Sequence, residues 1–423
     1  MSVPSPLTAG LAERLPELTA IYRDLHANPE LSFQEERTAG VVAARLTEAG
    51  FEVTTGVGGT GVVGVLRNDS GGTGGSVLLR ADMDALPVAE ADRVPYRSTV
   101  TATGPDGELS PVMHACGHDT HVTSLLGAAA QLSARRADWS GTVLAVFQPA
   151  EEIGAGSRAM LDDGFLDRFP RYDVALGQHV ISGPAGHLWV RPGVFMAAGD
   201  SLRVTVFGRG GHASAPQATV DPIVIAASIV LRLQTIVSRE LAATDVAVVT
   251  VGAIRAGAKE NVIPAEAELK LNIRTFDARV RERVLAAVER IVTAEAAAAG
   301  APRPPEIAPI NDFPLLVNDE TAARRVITAF TESFGAEVVH EPSMKPASED
   351  FGRFGAAAGV PSVFWNFGGF DQAHYPDPAQ PALAVAAGGA PGNHSPDFVP
   401  DAVDAALLRG TEALLTAASL WLT

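Results

Sequence analysis

The sequence predicts an α/β fold in which helices cover a mostly parallel sheet, with a smaller two-layer α+β domain inserted into it. Short apolar runs at 142–147, 172–176 and 361–365 lack clean alternation, which is typical of strands buried on both faces. Between 200 and 308 the predicted strands alternate apolar and polar residues and follow a β-α-β-β-α order. That pattern indicates a two-layer domain with one solvated face.

The elements of the larger domain follow from local patterns. Residues 11–50 have apolar positions at helical spacing, with a break near Pro29. Glycine-rich turns separate the next three predicted strands, which are 51–55, 62–66 and 76–80. Helical stretches at 122–135 and 157–163 lie between the early strands, so helices are expected on both faces of the sheet.

The inserted domain has its own set of elements. The predicted strands are 201–207, 246–253 and 266–275, and the predicted helices are 221–239 and 277–298. We therefore predict one domain made of residues 1–199 and 309–423, and an inserted domain made of residues 200–308. With 423 residues, the chain is long enough for such a division.

Residues Gly56–Gly61 match a dinucleotide-binding G-x-G-x-x-G pattern by letter. A nucleotide site of this kind needs a helix directly after the glycines, whereas a strand-like run follows here. A hairpin turn is the better interpretation.

Composition narrows the possible partners and the compartment. A net charge of −17 argues against nucleic acid or an anionic membrane as the main partner. The longest apolar run, Ile223–Val237, is interrupted by Arg232 and is too short to span a membrane. The first residues do not resemble a signal peptide, and the single cysteine cannot form an internal disulfide, so a cytoplasmic location is expected.

That single cysteine, Cys116, lies in a nine-residue stretch, 113–121, that also contains three histidines and an aspartate. Thiolate and imidazole are donors that zinc-like ions prefer, so Cys116 and His118 are interpreted as metal ligands. His114 and His121 are interpreted as supporting or structural residues.

Further polar residues follow the predicted strands directly: Asp82, Asp84, Glu151, Glu152 and His179. Because ligands gather at the carboxyl ends of parallel strands, these side chains are expected on one rim of the sheet. Alone, the Glu151–Glu152 pair would be interpreted as a solvated acidic turn. At the end of a strand, successive side chains point to different sides, so only one of the two needs to face a metal.

Eight motifs occur in order along nearly the whole chain: His26–Ser32, Leu79–Pro87, Met113–Asp119, Phe147–Glu152, Gly177–His179, Gly208–Ala213, Ser348–Phe351 and Asn393–Pro396. Together they resemble the M20 family of metallopeptidases. The resemblance is to its amidohydrolase branch, which contains N-acyl-amino-acid, hippurate and indole-acetyl-amino-acid hydrolases. Most members of the wider family carry a histidine at the position of Asp82 and a bridging aspartate at that of Cys116, and this sequence departs from both.

The resemblance implies a centre of two divalent metal ions with Cys116 as the bridge. It places His118 and His179 on one ion, Glu152 and His394 on the other, and makes Glu151 the general base. Thiolate favours zinc, while the other donors also admit manganese, cobalt or nickel. Asp84 and Asp119 are expected to hold ligand side chains in place, although Asp119 could instead cap the helix that follows.

In the inserted domain the resemblance assigns three more roles. His212 would stabilise the oxyanion, Asn261 would hold the carbonyl, and Arg274 would bind the carboxylate of the substrate. The simpler interpretation of His212 is a histidine exposed to solvent on a hairpin. The simpler interpretation of Arg274 is a residue on the solvated face of a strand. The resemblance also implies that the inserted domain is a lid and that it mediates a homodimer.

These expectations combine into a metal-dependent amidohydrolase that cleaves N-acyl-L-amino acids to a carboxylate and a free amino acid. A dipeptidase or an N-acetyl-diamino-acid deacetylase on the same centre is an alternative. A more distant alternative is a metal-dependent binding protein without activity, in which Glu151 would have no role.

Overall fold

The protein is described from a computed structural model, which covers residues 5–69, 71–104 and 107–422. The chain divides into two compact units. Unit 1 consists of Met1–Phe195, Val317–Ser343 and Asp350–Thr423, and unit 2 consists of Met196–Leu316 and Met344–Glu349. The predicted insertion, residues 200–308, lies within unit 2.

The described residues form helices and strands with the following bounds. The helices are α1 (Leu15–Ala27), α2 (Glu36–Glu48), α3 (His118–Ala134), α4 (Gly156–Asp162), α5 (Phe165–Arg168), α6 (Pro222–Thr235), α7 (Ala278–Ala298), α8 (Glu320–Phe334), α9 (Gly352–Ala358), α10 (Pro381–Ala386) and α11 (Val403–Leu422). The strands are β1 (Glu52–Val57), β2 (Gly61–Asn68), β3 (Ser76–Asp82), β4 (Thr101–Thr103), β5 (Leu109–Pro111), β6 (Gly141–Gln148), β7 (Val174–Pro184), β8 (Leu188–Trp189), β9 (Gly193–Met196), β10 (Ala198–Phe207), β11 (Gly211–His212), β12 (Ala247–Ala256), β13 (Val262–Ile263), β14 (Glu266–Thr275), β15 (Glu306–Phe313), β16 (Leu316–Asn318), β17 (Val339–His340) and β18 (Ser362–Phe370).

The core of unit 1 is an eight-stranded sheet with the order β1-β2-β6-β3-β7-β18-β8-β17. Its four central strands, β6, β3, β7 and β18, are parallel, while antiparallel pairs occur towards both edges. The predicted α/β class with a mostly parallel sheet is therefore confirmed. The carboxyl ends of β3 and β6 lie at a common edge, and β7 continues past the end of its pairing with β3, so the residues after β3 and β6 come close to His179 of β7.

Burial on both faces explains why these strands read as continuous apolar runs. In β3, Val77, Leu79 and Ala81 pack into the main hydrophobic core together with α3 and α11. In β18, Phe364 instead packs its ring 5.3 Å from the ring of Phe351, just before α9. Helices therefore cover the sheet, and little of its apolar surface meets water.

The Gly56–Gly61 segment is a hairpin turn, as predicted. β1 and β2 are antiparallel, and their last pair is Val57↔Gly61. Gly58 has φ of 64°, and a Cβ there would lie 2.4 Å from the backbone nitrogen of Met160, so a side chain does not fit.

Unit 2 contains a four-stranded antiparallel sheet with the order β12-β14-β10-β15. β14 buries alternate residues, including Leu269, Leu271 and Ile273, in a core shared with α6 and α7. This is the two-layer arrangement expected from the alternating pattern.

The segment Pro222–Glu240 is long and apolar enough to cross a membrane by length and composition, but one such helix is weak evidence for a span. Its residues Ile225, Ile229 and Leu233 are buried in the core of unit 2.

Candidate metal centre

The segment that carries Cys116 turns sharply into helix α3, which begins at His118. Gly117 between them has φ of 79°, a left-handed conformation that favours glycine. A Cβ at this position would also lie 2.4 Å from Cγ1 of Val180 in β7. The glycine therefore lets the Cys116–His118 turn approach the middle of β7, where His179 lies inside the strand and not after it as the sequence suggested.

Two groups of donor atoms form at this edge of the sheet, and Cys116 belongs to both. One group contains Cys116, His118 and His179, and the other contains Cys116, Glu152 and His394. Within each group the donor atoms lie within 4.8 Å of one another. The Cys116 Sγ is 3.3 Å from Nε2 of His179 and 3.2 Å from Nε2 of His394.

Several of these atoms have no hydrogen-bond partner among the described residues. They are Nδ1 and Nε2 of His118 and Oε1 of Glu152. Leaving a buried polar atom unpaired costs about 1–3 kcal/mol. A divalent cation would satisfy such atoms, and thiolate, imidazole and carboxylate are suitable ligands. The donor set therefore fits a centre of two divalent cations that share one sulfur.

The electrostatics of the centre also favour cations. Burial, together with Glu152 and Glu151, raises the pKa of the Cys116 thiol well above its usual value. Burial alone would lower the pKa of His118, but Asp82, Asp84 and Glu152 raise it to about 10. Burial raises the pKa of Glu152 to about 7 against the opposing effect of His118. Without a cation, these donors therefore tend to hold their protons at neutral pH.

The position of Glu151 and Glu152 differs from the sequence interpretation. They do not lie in a strand, because β6 ends at Gln148 and both residues belong to the following turn. Ala150, just before them, has a strained φ of 48°. The carboxylate oxygens of both residues lie within 4.8 Å of each other and of a His118 ring nitrogen, so this turn, and not strand alternation, places both carboxylates at the centre.

Two carboxylates hold that turn. Asp84 Oδ1 and Oδ2 accept the backbone N–H groups of Glu151 and Glu152, each at 3.0 Å, and Asp84 Oδ1 lies 3.4 Å from Nδ1 of His118. Glu35 Oε1 accepts the N–H of Ala150 at 2.8 Å. Sequence reasoning identified Asp84 but missed Glu35, which lies 115 residues before Ala150.

The side chain of Asp119 does not cap helix α3. Its hydrogen bonds go to His26 and Thr120, and neither of these is a proposed metal ligand. The helix starts one residue earlier, at His118. Asp119 Oδ2 accepts from Nδ1 of buried His26 at 2.6 Å, while Nε2 of His26 lies 2.9 Å from Oε1 of Glu90. Asp119 therefore ties the first turn of α3 to His26, which belongs to the His26–Ser32 motif but has no role assigned from sequence. Support of a metal ligand by Asp119 stays a prediction.

The last donor, His394, comes from a loop near the C-terminus and has a φ of 69°. Its backbone N–H donates to the carbonyl of Ala115 at 2.7 Å, which ties the loop to the Cys116 segment. Asn393 contributes a second link, since its Nδ2 donates to the Val180 carbonyl at 3.2 Å. The His394 side chain is 55% exposed, so this side of the centre is open to solvent.

The remaining predicted residues lie in unit 2. His212 in β11 pairs with Val262 of β13, and the carbonyl of neighbouring Asn261 accepts the N–H of Ala213 at 3.1 Å. His212 Nδ1 accepts the N–H of Ser214 at 3.1 Å, which leaves the ring proton on Nε2 when the ring is neutral. The structure therefore brings His212 and Asn261 together at one small two-stranded sheet whose strands are distant in sequence.

Arg274 lies in β14 across from Gly199, where a Cβ would come within 2.9 Å of its guanidinium. The guanidinium donates through Nε to Asn272 Oδ1 at 3.0 Å and through Nη1 to the hydroxyl of Ser348. Among the described residues no carboxylate forms an ion pair with Arg274, because nearby Asp200 is bound by Arg281 at 2.6 and 2.8 Å.

Comparison with known proteins identifies the family. The sequence profile described as "Peptidase family M20/M25/M40" matches residues 78–389. The chain belongs to this family. Its relatives include a "Hippurate hydrolase" of Campylobacter jejuni, 39% identical over 80% of this chain and 85% of the relative. They also include "Thermostable carboxypeptidase 2" of Saccharolobus solfataricus, 38% identical over 79% of this chain and 81% of the relative.

A solved M20 structure resembles the whole molecule. The YXEP protein of Bacillus subtilis, described as a dinuclear metal binding peptidase, matches with a TM-score of 0.73 and 29% identity. The match covers 96% of this chain and 98% of that protein. This M20 protein is thus a metal-dependent amidohydrolase of the amidohydrolase branch, as its motifs indicated.

Proposed function

We propose that this M20 amidohydrolase cleaves N-acyl-L-amino acids to a carboxylate and a free amino acid. The observation that carries the proposal is the pair of donor groups that share Cys116, with Glu151 beside them. Cys116, His118 and His179 would hold one divalent cation, and Cys116, Glu152 and His394 the other. The donors suit zinc, manganese, cobalt or nickel, with the thiolate favouring zinc.

Bound cations would supply Lewis acidity, lowering the pKa of water and polarising a carbonyl oxygen. Glu151 then acts as general base: its carboxylate takes a proton from the attacking water and returns it to the leaving nitrogen. Glu151 is suited to this role because Asp84 fixes its backbone, and because Oε1 and Oε2 of neighbouring Glu152 are left to ligate. His212, with its proton on Nε2, would donate to the oxyanion that develops on the scissile carbonyl.

The substrate class is inferred from chemistry that the relatives' names share. Hippurate is an acylated glycine, and a carboxypeptidase removes a residue with a free α-carboxylate. Each therefore has an amide bond next to a carboxylate. Arg274, whose hydrogen-bond partners Asn272 and Ser348 are neutral and which pairs with no carboxylate among the described residues, is suited to clamp that group. Asn261 would hold the carbonyl.

A panel of substrates tests this proposal. N-acetyl, N-benzoyl and long-chain acyl amino acids are assayed beside dipeptides, with liberated amino acid as the readout. Turnover of acyl amino acids is expected. Turnover of dipeptides alone would contradict the proposal and support the dipeptidase alternative, which the carboxypeptidase relative favours.

Arg274→Met is expected to raise KM for an N-acyl amino acid about 10- to 100-fold with little change in kcat. A hydrogen bond to a charged group contributes about 1.5–3 kcal/mol, and this one is made equally in ground and transition states. Steady-state kinetics measure the effect. Lys270→Met, on the same strand and face, is the matched control and should leave KM unchanged. An equal KM increase for a substrate whose carboxylate is amidated would contradict the clamp.

Cation affinity is expected to rise with pH. The raised pKa values of Cys116, His118 and Glu152 mean that binding must displace protons near neutral pH, and lower pH favours the protonated, metal-free form. We expect release of about two protons, from Cys116 and His118, when two cations bind at pH 7. Calorimetry in buffers of different ionisation enthalpy measures this number, and binding without proton release would contradict the expectation.

We also propose a homodimer through the inserted domain. The surface of unit 2 exposes apolar side chains on α6 and on β12, a strand at the edge of its sheet: Val224 and Leu231 on the helix, Val248 and Ile254 on the strand. Unpaired strand edges and clustered apolar side chains are typical of interaction surfaces. Sedimentation equilibrium tests the proposal, and a monomer at every concentration contradicts it.

A further inference from the structure

A chain of buried side chains next to the donor groups has no role in the reaction described above. It starts at Arg80 in β3, whose Nη1 donates to Asp82 Oδ2 at 2.6 Å and whose Nε donates to Gln148 Oε1 at 2.9 Å. Asp82 Oδ1 in turn accepts from Nδ1 of His121 at 2.5 Å. Arg80, Asp82 and His121 are all almost completely buried.

The chain ends at the backbone of β7. The pairing of β3 with β7 stops at Arg80↔Gly177, but β7 continues to Pro184. Among the residues that the structure describes, no strand pairs with β7 on the β3 side beyond Gly177, so the N–H of Val180 has no strand carbonyl there. Nε2 of His121 accepts this N–H at 2.7 Å. A side chain on α3 thus replaces the missing strand neighbour.

These hydrogen bonds define which nitrogen of the His121 ring carries the proton. Because Nε2 accepts a hydrogen bond, the proton is on Nδ1, which donates to Asp82. His121, Asp82 and His118 form one of the clusters close enough to hold an ion. Both nitrogens of His121 are already used in hydrogen bonds, so the His121 ring supports the centre and does not ligate.

The carbonyl of the same residue, Val180, lies in the next peptide group and holds His179. The Val180 carbonyl accepts from Nδ1 of His179 at 2.6 Å. This places the proton of the His179 ring on Nδ1 and leaves the lone pair of Nε2 for a ligand, on the atom that lies 3.3 Å from Cys116 Sγ. The rings of His121 and His179 also touch edge to face, with centroids 4.5 Å apart.

We propose that His121 is a positioning residue: by accepting the N–H of Val180 it fixes the backbone of this residue, whose carbonyl sets the tautomer and orientation of His179 and thereby the affinity of the cation held by His179. The inference rests on the proposed metal centre. Residues that orient metal ligands typically change metal affinity 10- to 100-fold when they are replaced.

Two substitutions test the two hydrogen bonds of the His121 ring one at a time. His121→Asn keeps a donor near the Nδ1 position for Asp82 but loses the acceptor for Val180. His121→Gln keeps an acceptor near the Nε2 position. Zinc affinity is measured by competition with a chromophoric chelator. We expect one of the two zinc ions to bind at least about tenfold more weakly in His121→Asn, and recovery to within about threefold of wild type in His121→Gln.

Asn318→Leu is the matched control. Asn318 is buried, and its Oδ1 accepts the N–H of Phe364 in β18 at 2.7 Å, which is the same kind of bond on another strand. This variant should lose stability in thermal unfolding with chelator present but keep wild-type zinc affinity. If His121→Asn binds both zinc ions as tightly as wild type, or if Asn318→Leu loses zinc to the same degree, the inference is overturned.

Wild-type protein gives an independent readout that does not depend on folding of a variant. Long-range ¹H–¹⁵N NMR of the zinc-loaded protein should show His121 protonated on Nδ1, with the His121 variants assigning the signal. Protonation on Nε2 would overturn the inference. Binding of fewer than two zinc ions by wild type would overturn the proposed metal centre, and this inference with it.

Discussion

Glu151→Gln is expected to lower kcat by about 10²- to 10⁴-fold while both cations stay bound. Glutamine preserves the size of the side chain and the backbone bond from residue 151 to Asp84, but it cannot accept a proton from water. The loss should therefore appear in kcat with little change in metal content. Steady-state kinetics combined with elemental analysis of the purified variant measure both quantities.

Glu152→Gln is the matched comparison, because it changes the adjacent carboxylate of the same turn. Its Oε1 is buried and lacks a hydrogen-bond partner among the described residues, and its donor group includes Cys116 and His394. This variant should lose one of the two cations. Unchanged turnover in Glu151→Gln with both cations present would refute the general-base role and favour a binding protein without this chemistry.

Cys116→Ser is expected to weaken the binding of both cations by at least about 100-fold and to reduce activity in parallel. Sγ of Cys116 belongs to both donor groups, so its loss affects both positions at once. A serine hydroxyl stays protonated at neutral pH and is a poorer ligand than a thiolate. Metal titration by calorimetry measures the loss.

His114→Gln is the control for Cys116→Ser, since His114 lies two residues away, is also buried, and is in none of the donor groups of the described residues. It should retain both cations. Because the chain has one cysteine, a thiol reagent provides a second readout: wild type should react more slowly when loaded with metal. Wild-type affinity for both cations in Cys116→Ser would remove the basis of the shared-sulfur centre.

Much of the fold could be predicted because its signals are local. The uninterrupted apolar runs of β6 and β18 indicated strands buried on both faces, and strict alternation in β14 indicated a half-buried strand. The hairpin at Gly56–Gly61 followed from the missing helix after the glycines. The rim of polar residues followed from strand direction, since the ends of parallel strands share one edge of the sheet.

Other features of the site depend on contacts between distant segments and leave no periodic pattern in the sequence. Glu35 supports Ala150 from 115 positions away, and Asp84 accepts the N–H of Glu151 from 67 positions away. Ala150 itself adopts a left-handed φ that its residue type does not favour. For this reason the sequence does not distinguish the turn that carries Glu151 and Glu152 from a strand end.

The sequence alone determined which metal-binding donors are present: one thiol, a set of imidazoles and paired carboxylates. Their identities and order are local properties that side-chain types and spacing record. Only the tertiary structure decided which donors meet at Cys116, and that the ring of His121 is occupied by Asp82 and Val180 instead of by a cation. The physical reason is that β7 extends beyond β3, and the backbone group left unpaired there must find a side-chain partner.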